Sequence, residues 1–298
     1  MRLSVARWDS ITVVSEVERP EPEVIKTVFI LGLTSGIGRE LAVRFLRDGW
    51  HVVGTHRIGA NLDEVPSGCH LLECDLSSAG SADDFIKRSQ LEDWKWNIFV
   101  VCAGTEEPIG SFWDCEADAW AAGIAINALA PLRILRALWL RRDKTAQPAV
   151  AFFSGSGTNN AAPAYSAYSA SKILLIKMCE LLDAESPDTS FFILGPGIVR
   201  TKIHEETLRA GQKSGPNYTK VVEFLRSDDP GTSHDEIYEC LQWCAQAGKE
   251  VMGGRNISIV HDAWRNGGEE LINALRTAPD LYKLRRFGND LTIAHQKL

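Results

Sequence analysis

Thr27-Val28-Phe29-Ile30-Leu31 runs directly into Gly32-Leu33-Thr34-Ser35-Gly36-Ile37-Gly38, and Arg39 to Asp48 follows with helical periodicity up to Gly49. The first run is short, apolar and β-rich, which suits a strand buried on both faces of a parallel sheet. Gly49 suits the left-handed position just past a helix end. Strand, glycine loop and helix in that order leave few folds open. Glycines let the backbone turn sharply and approach a pyrophosphate closely. The helix N-terminus adds free N–H groups and the positive end of its dipole. Trp50-His51-Val52-Val53-Gly54-Thr55 then reads as a second strand. It closes a β-α-β unit of the length that dinucleotide-binding folds use.

The alternation continues. Leu71 to Leu76, Asn97 to Gly104, Ala149 to Phe153, Ser190 to Leu194 and Asn256 to Val260 each read as a strand. Glu116 to Leu140 reads as one long helix containing Asn127, and Pro131 predicts a kink or an irregular turn one turn further on. Ser233 caps a helix expected to end at Gly248. Residues 202–232 are polar and interrupted by glycine and proline, and read as a mobile segment with short helices. The fold class is therefore α/β, a doubly wound, Rossmann-like parallel sheet in one domain over residues 27–262. An N-terminal extension over residues 1–26 precedes it, with a short strand at Ile11 to Val14, and a helical tail over residues 263–298 follows. In such sheets ligands bind beyond the carboxyl ends of the strands.

Composition narrows the partners. The net charge is −7, without long basic runs, which argues against a nucleic-acid partner. Arg141-Arg142 and Arg285-Arg286 read as isolated pairs at solvated helix ends. The seven cysteines are odd in number and form no Cys-x-x-Cys pair, which favours a reducing compartment. The seven histidines lack metal-ligand spacing, so no metal is expected. No apolar run has the length of a membrane span, so the expectation is a cytoplasmic protein with no membrane partner.

Tyr168 and Lys172 stand four residues apart at the head of the apolar run Ile173 to Leu182. On a helix, that spacing puts a phenol and an ammonium on one face. A free Tyr titrates near ~10. A neighbouring cation favours the phenolate, so the pair suits proton transfer if Lys172 lowers the Tyr168 pKa. Tyr and Lys at this spacing also occur on ordinary helix flanks.

In this order and context, Gly32-x-x-x-Gly36-x-Gly38, Asp75, Ala103-Gly104, Asn127, a Ser ahead of the Tyr, Tyr168-x-x-x-Lys172 and Pro196-Gly197-x-Val199-x-Thr201 resemble the short-chain dehydrogenase/reductase family. The resemblance covers Thr27 to Val260 and implies roles. The loop of Gly32, Thr34, Ser35, Gly36, Ile37 and Gly38 would hold the adenosine phosphates. Asp75, with Leu76 beside it, would bind the adenine edge, and Ala103 and Gly104 would let the cofactor approach. Pro196 and Gly197 would shape the next loop, where the Ile198 backbone and Thr201 would fix the nicotinamide carboxamide. Tyr168 would be the general acid in ketone reduction and the base in reverse. Lys172 would tune Tyr168 and bond the nicotinamide ribose, and Asn127 would hold a relay water.

The departures are Leu31 for the usual Thr, Cys102 for an Asn, and Gly155 where the family places its serine. Ser154 and Ser156 flank that place, and Ser156 is narrowly preferred. At the end of the second strand, His56 and Arg57 replace an acidic residue, which predicts NADP(H) over NAD(H), with NAD(H) still admissible. The expected activity is reduction of a small-molecule carbonyl, or oxidation of an alcohol, by a homodimer or homotetramer. The other reading is a dinucleotide-sensing regulatory or scaffold protein with no turnover. Trp113, Tyr165 and His204 read as pocket wall or as packing. Gly254 to Ser258 with Asp262-Ala263-Trp264 is similar to family members of sugar and polysaccharide pathways.

Overall fold

The computed structural model describes residues 25–286. The first strands and helices are β1 (Thr27–Leu31), α1 (Gly36–Arg47), β2 (His51–His56), β3 (Cys69–Glu73), α2 (Ala79–Ser89) and β4 (Ile98–Val101). Then come α3 (Ala117–Ile124), a π turn (Ala125–Leu129), α4 (Ala130–Ala137), β5 (Ala149–Phe153), α5 (Ser166–Glu185) and β6 (Ser190–Gly195). The chain closes with α6 (His204–Ala210), α7 (Pro216–Arg226), α8 (His234–Met252), β7 (Arg255–Ser258) and α9 (Glu269–Thr277). The expected strand at Ile11 to Val14 lies outside the described residues.

The seven strands form one sheet in the order β3-β2-β1-β4-β5-β6-β7, and every pairing is parallel. The order reverses between β1 and β4, and a crevice opens there beyond the strand ends. The strand period of two sorts β1 between two cores. Val28 and Ile30 join Phe45, Ile237 and Leu241 on the face covered by α1 and α8. Phe29 and Leu31 join Phe85, Leu135 and Leu175 on the face covered by α2, α4 and α5.

The long helix expected over Glu116 to Leu140 is instead two α-helices joined by the π turn. The Ala130 N–H bonds the Ala125 carbonyl, which widens the helix by one residue per turn. Pro131 has no N–H to offer the Asn127 carbonyl, so the irregularity falls where its ring demands. The helix after Ser233 breaks at Gly248, as expected: Gly248 sits at φ 73° with non-helical geometry, and a short further stretch follows to Met252. Ser233 and Glu236 form the reciprocal capping box at its start.

Arg285 and Arg286 are exposed, as expected, but Arg141-Arg142 is not a solvated helix end. Arg142 is buried, bonds Asp188 at 3.0 Å and stacks on Trp139. Arg141 bonds the Trp94 carbonyl at 2.9 Å, and Arg285 bonds Glu180 at 2.7 Å. The run Gly254 to Ser258 with Asp262-Ala263-Trp264 is structural. Arg255 is buried and donates to the carbonyls of Val251, Leu275, Ala278 and Leu281, and Trp264 is buried under β7 with its N–H on Ile259. All seven cysteines are free. Among the described residues, no helix is long and apolar enough to cross a membrane.

Candidate active site

The glycine loop folds as it does because of what crowds it. Gly32 sits at φ 86°, and a side chain there would meet the Ala103 backbone at 2.7 Å. The ends of β1 and β4 therefore stay in close contact, with the Ala103 N–H on the Leu31 carbonyl at 2.9 Å. Gly36 lies against Thr201, which brings the segment after β6 onto the loop. Leu33, fully buried, packs on Gly54, so the bulk at one position matches its absence at the other. Ser35 gives its hydroxyl to the Gly32 carbonyl at 2.7 Å and leaves the first turn of α1 without a side-chain cap. That turn also has no acidic residue. Uncapped N–H groups at the positive end of a helix fit a pyrophosphate.

At the adenosine end, Asp75 holds its own turn, with Oδ1 accepting from the Ser77 N–H at 2.9 Å and hydroxyl at 2.7 Å. Its Oδ2 accepts nothing among the described residues, so it can face an adenine amine. Leu76 packs half-buried against the core. His56 bonds the Arg57 carbonyl, and Arg57 is exposed with no ion pair among the described residues. At the other end, Gly197 is at φ 72° against Val260, and the Ile198 carbonyl accepts from the Thr232 N–H at 2.8 Å.

Tyr168 and Lys172 are both buried on one face of α5, as their spacing requires. The electrostatics run opposite to expectation. The Tyr168 pKa is raised, first by burial and then by the charges of Glu106 and Glu206. Lys172 does not offset them. Its ammonium bonds the Phe153 carbonyl at 3.0 Å and lies 5.4 Å from the Tyr168 ring centre. Burial brings the Lys172 pKa down to about 8. Desolvation costs both charged forms, and here it outweighs their mutual support.

The serine question has a steric answer. A side chain at Gly155 would overlap the Tyr168 hydroxyl, so the phenol occupies the place a serine would take. Ser154 is buried and points its hydroxyl at the Leu194 carbonyl, 3.4 Å away. Ser156, the narrow preference from the sequence, is exposed, and its carbonyl rather than its hydroxyl is bonded, to Ser169 at 3.3 Å. Neither hydroxyl bonds Tyr168.

Asn127 is fully buried at the π turn, and its amide is spent on Thr105: Oδ1 accepts from the Thr105 N–H and Nδ2 donates to its carbonyl, each at 2.8 Å. Its main-chain carbonyl, for which Pro131 has no N–H, can meet a water. Trp113 is exposed, whereas Tyr165 is buried and bonds Thr207. His204 bonds the Val199 carbonyl at 2.9 Å.

Sequence reasoning missed the carboxylates. Glu106 is buried and accepts from the Thr207 hydroxyl at 2.8 Å. Glu206, on α6, accepts from the Thr105 hydroxyl at 3.0 Å and from the Glu106 N–H at 2.5 Å. Burial raises Glu106 to about 7 and raises Glu206 as well. The only local signal was Glu106-Glu107 just past Ala103-Gly104 at a strand end.

A family model described as short chain dehydrogenase matches residues 26–211. The chain belongs to the short-chain dehydrogenase family. It is 24% identical over 251 residues to the human dehydrogenase/reductase SDR family member 4, covering 76% of this chain and 90% of that protein. A short chain dehydrogenase/reductase structure from Saccharomyces cerevisiae shares the fold at TM-score 0.68 and 19% identity, covering 80% of this chain and 97% of that one. A Shigella flexneri structure, a short chain dehydrogenase complexed with NADP, aligns at TM-score 0.63 and 18% identity, covering 78% and 96%. A 4-hydroxyisoleucine dehydrogenase complexed with NADH aligns at TM-score 0.63 and 21% identity, with the same coverage. Membership makes the chain an oxidoreductase family protein for a nicotinamide dinucleotide, and the uncapped α1 N-terminus agrees with that.

Proposed function

We propose that this chain is an NADP(H)-dependent oxidoreductase that reduces a ketone to a secondary alcohol, or runs the reverse, with Tyr168 moving the proton. The joint burial of Tyr168 and Lys172 on one face of α5, at the carboxyl edge of the sheet, carries this reading. The bound nicotinamide supplies or accepts the hydride. Tyr168 gives its phenolic proton to the carbonyl oxygen as the carbon is reduced. The raised pKa leaves the phenol protonated but a weaker acid, so its proton moves to the more basic alkoxide oxygen that hydride transfer creates. Lys172 holds the Phe153 end of β5 and offers its remaining N–H groups to the cofactor ribose. NADPH oxidation over a panel of ketones tests the reading. Tyr168→Phe should abolish turnover and leave NADPH affinity within a few-fold; substantial residual reduction by that variant would remove Tyr168 as the donor.

The cofactor preference rests on Arg57, exposed at the end of β2 and without an ion pair among the described residues, with no acidic side chain in that strand. A guanidinium can take a 2′-phosphate in charge-assisted bonds worth about 1.5–3 kcal/mol, or roughly tenfold to a hundredfold in affinity. Titrating NADPH and NADH into wild type and Arg57→Ala should show an NADP(H) preference that the substitution removes. Equal wild-type affinities would exclude it. The same reading makes the protein a cytoplasmic homodimer or homotetramer. The exposed apolar side chains of Phe112, Trp113 and Leu129 support the assembly, and a monomer by light scattering would exclude it.

A further inference from the structure

Gly155 lies just past the end of β5, directly against the Tyr168 phenol. A side chain there would overlap the Tyr168 hydroxyl and come within 2.6 Å of its Cε1 and Cζ. Carbon atoms in contact settle about 3.5–4.0 Å apart, so the ring and an added carbon cannot share the place. The backbone does not ask for glycine here. Gly155 has no positive φ, whereas Gly157, two residues on, sits at φ 86°. Other residues can adopt the main chain at Gly155, and the phenol is what excludes them.

The phenol cannot step aside cheaply either. Tyr168 is 8% exposed and clusters with Ile109 and Tyr165, walled by Ala162, Ala164 and Ala210. One turn further along α5, Lys172 ties the helix to the Phe153 carbonyl at 3.0 Å. The serines on either side of Gly155 are turned elsewhere. The Ser154 hydroxyl points at the Leu194 carbonyl, and Ser156 is exposed. We propose that Gly155 is a positioning residue for Tyr168, and that its missing side chain, rather than a neighbouring serine hydroxyl, completes the proton-transfer site. This rests on the oxidoreductase reading above and adds how the donor is held in place. Gly155→Ser, the change that the family pattern favours, should therefore harm the reaction.

The test measures NADPH-dependent ketone reduction by Gly155→Ala, Gly155→Ser, Ser154→Ala and Ser156→Ala. Misplacing a reacting group by about 1 Å costs roughly a hundredfold. Both Gly155 variants should lose about that much in kcat and keep their NADPH affinity, a split that a general loosening of the fold would not give. The two serine variants should keep the wild-type kcat. A Gly155→Ser variant as active as the wild type overturns the inference, and so does a loss of about tenfold or more in either serine variant. If the Gly155 variants do not fold, the serine variants decide it alone. If the wild type reduces no ketone, the proposed function fails and the placement of the phenol is read directly. With fluorinated tyrosine incorporated, the fluorine resonance of Tyr168, identified by its loss in Tyr168→Phe, should shift in Gly155→Ala. An unmoved resonance overturns the inference.

Discussion

Glu106 shows how a single burial changes a residue's chemistry. Burial lifts its carboxyl from 4.5 to about 7, the Thr207 hydrogen bond opposes the shift, and Glu206 adds to it. The folded protein therefore holds this proton more tightly than the unfolded chain does. The resulting stability is fully present below about pH 4.5 and is lost as pH rises through about 7. The loss has an upper bound of about 3 kcal/mol. Glu180 acts in the opposite sense in a lower window. Its Arg285 bond holds it down to about 2, so its contribution is lost as pH falls towards that value. By urea unfolding from pH 5 to 8, the wild type should lose stability relative to Glu106→Gln as pH rises, while the lowered pKa values of His51, His204 and His234 act in the other direction in both proteins. An unchanged slope in the variant would assign the titration to another group. None of this was visible beforehand, because a glutamate next to a strand end reads as solvated until its neighbours are known. The displaced serine was legible as a departure at Gly155. That the Tyr168 hydroxyl fills the vacated space was not.

At the scale of the element, the helix carrying Asn127 is the instructive case. Pro131 announced an irregularity, and the π turn is that irregularity. What the turn does is pin the loop after β4, because both amide atoms of Asn127 are used on Thr105. Asn127→Ala would leave the Thr105 N–H and carbonyl without partners inside the protein. The expected cost is about 2–4 kcal/mol. Faster exchange of the Thr105 amide should accompany it, since the loop bearing Glu106 is no longer tied to the helix. A denaturation midpoint within experimental scatter of wild type would show that the loop is held by other contacts. The Ser233 cap was readable because it is local, with donor and acceptor three residues apart. The break at Gly248 was readable for the same reason, since a positive φ at a helix end is a local property that glycine supplies.

At the scale of the whole molecule, β7 is an edge strand, and the chain beyond it is tied back through Arg255. Its guanidinium is buried and bonds carbonyls at the ends of α8 and α9, with no ion pair among the described residues. Arg255→Leu keeps the apolar stem and strips those carbonyls of their donors. Each unsatisfied buried group costs about 1–3 kcal/mol, so a loss of at least about 3 kcal/mol is expected. Limited proteolysis should cut first around residues 275–282 in that variant, and a cleavage pattern like wild type would mean that α9 docks by its apolar face alone.

The sequence by itself determined the sheet, its glycine-ended strands and the face of α5 that presents Tyr168 and Lys172. Those follow from periodicity and from backbone angles that only certain residues adopt, and both are properties of neighbours along the chain. The tertiary structure decided which charges surround Tyr168, which serines fall short of it and which arginines are structural. Glu106 and Glu206 meet across 100 residues of chain. A pKa depends on distance and burial in space, and neither is written in the order of residues.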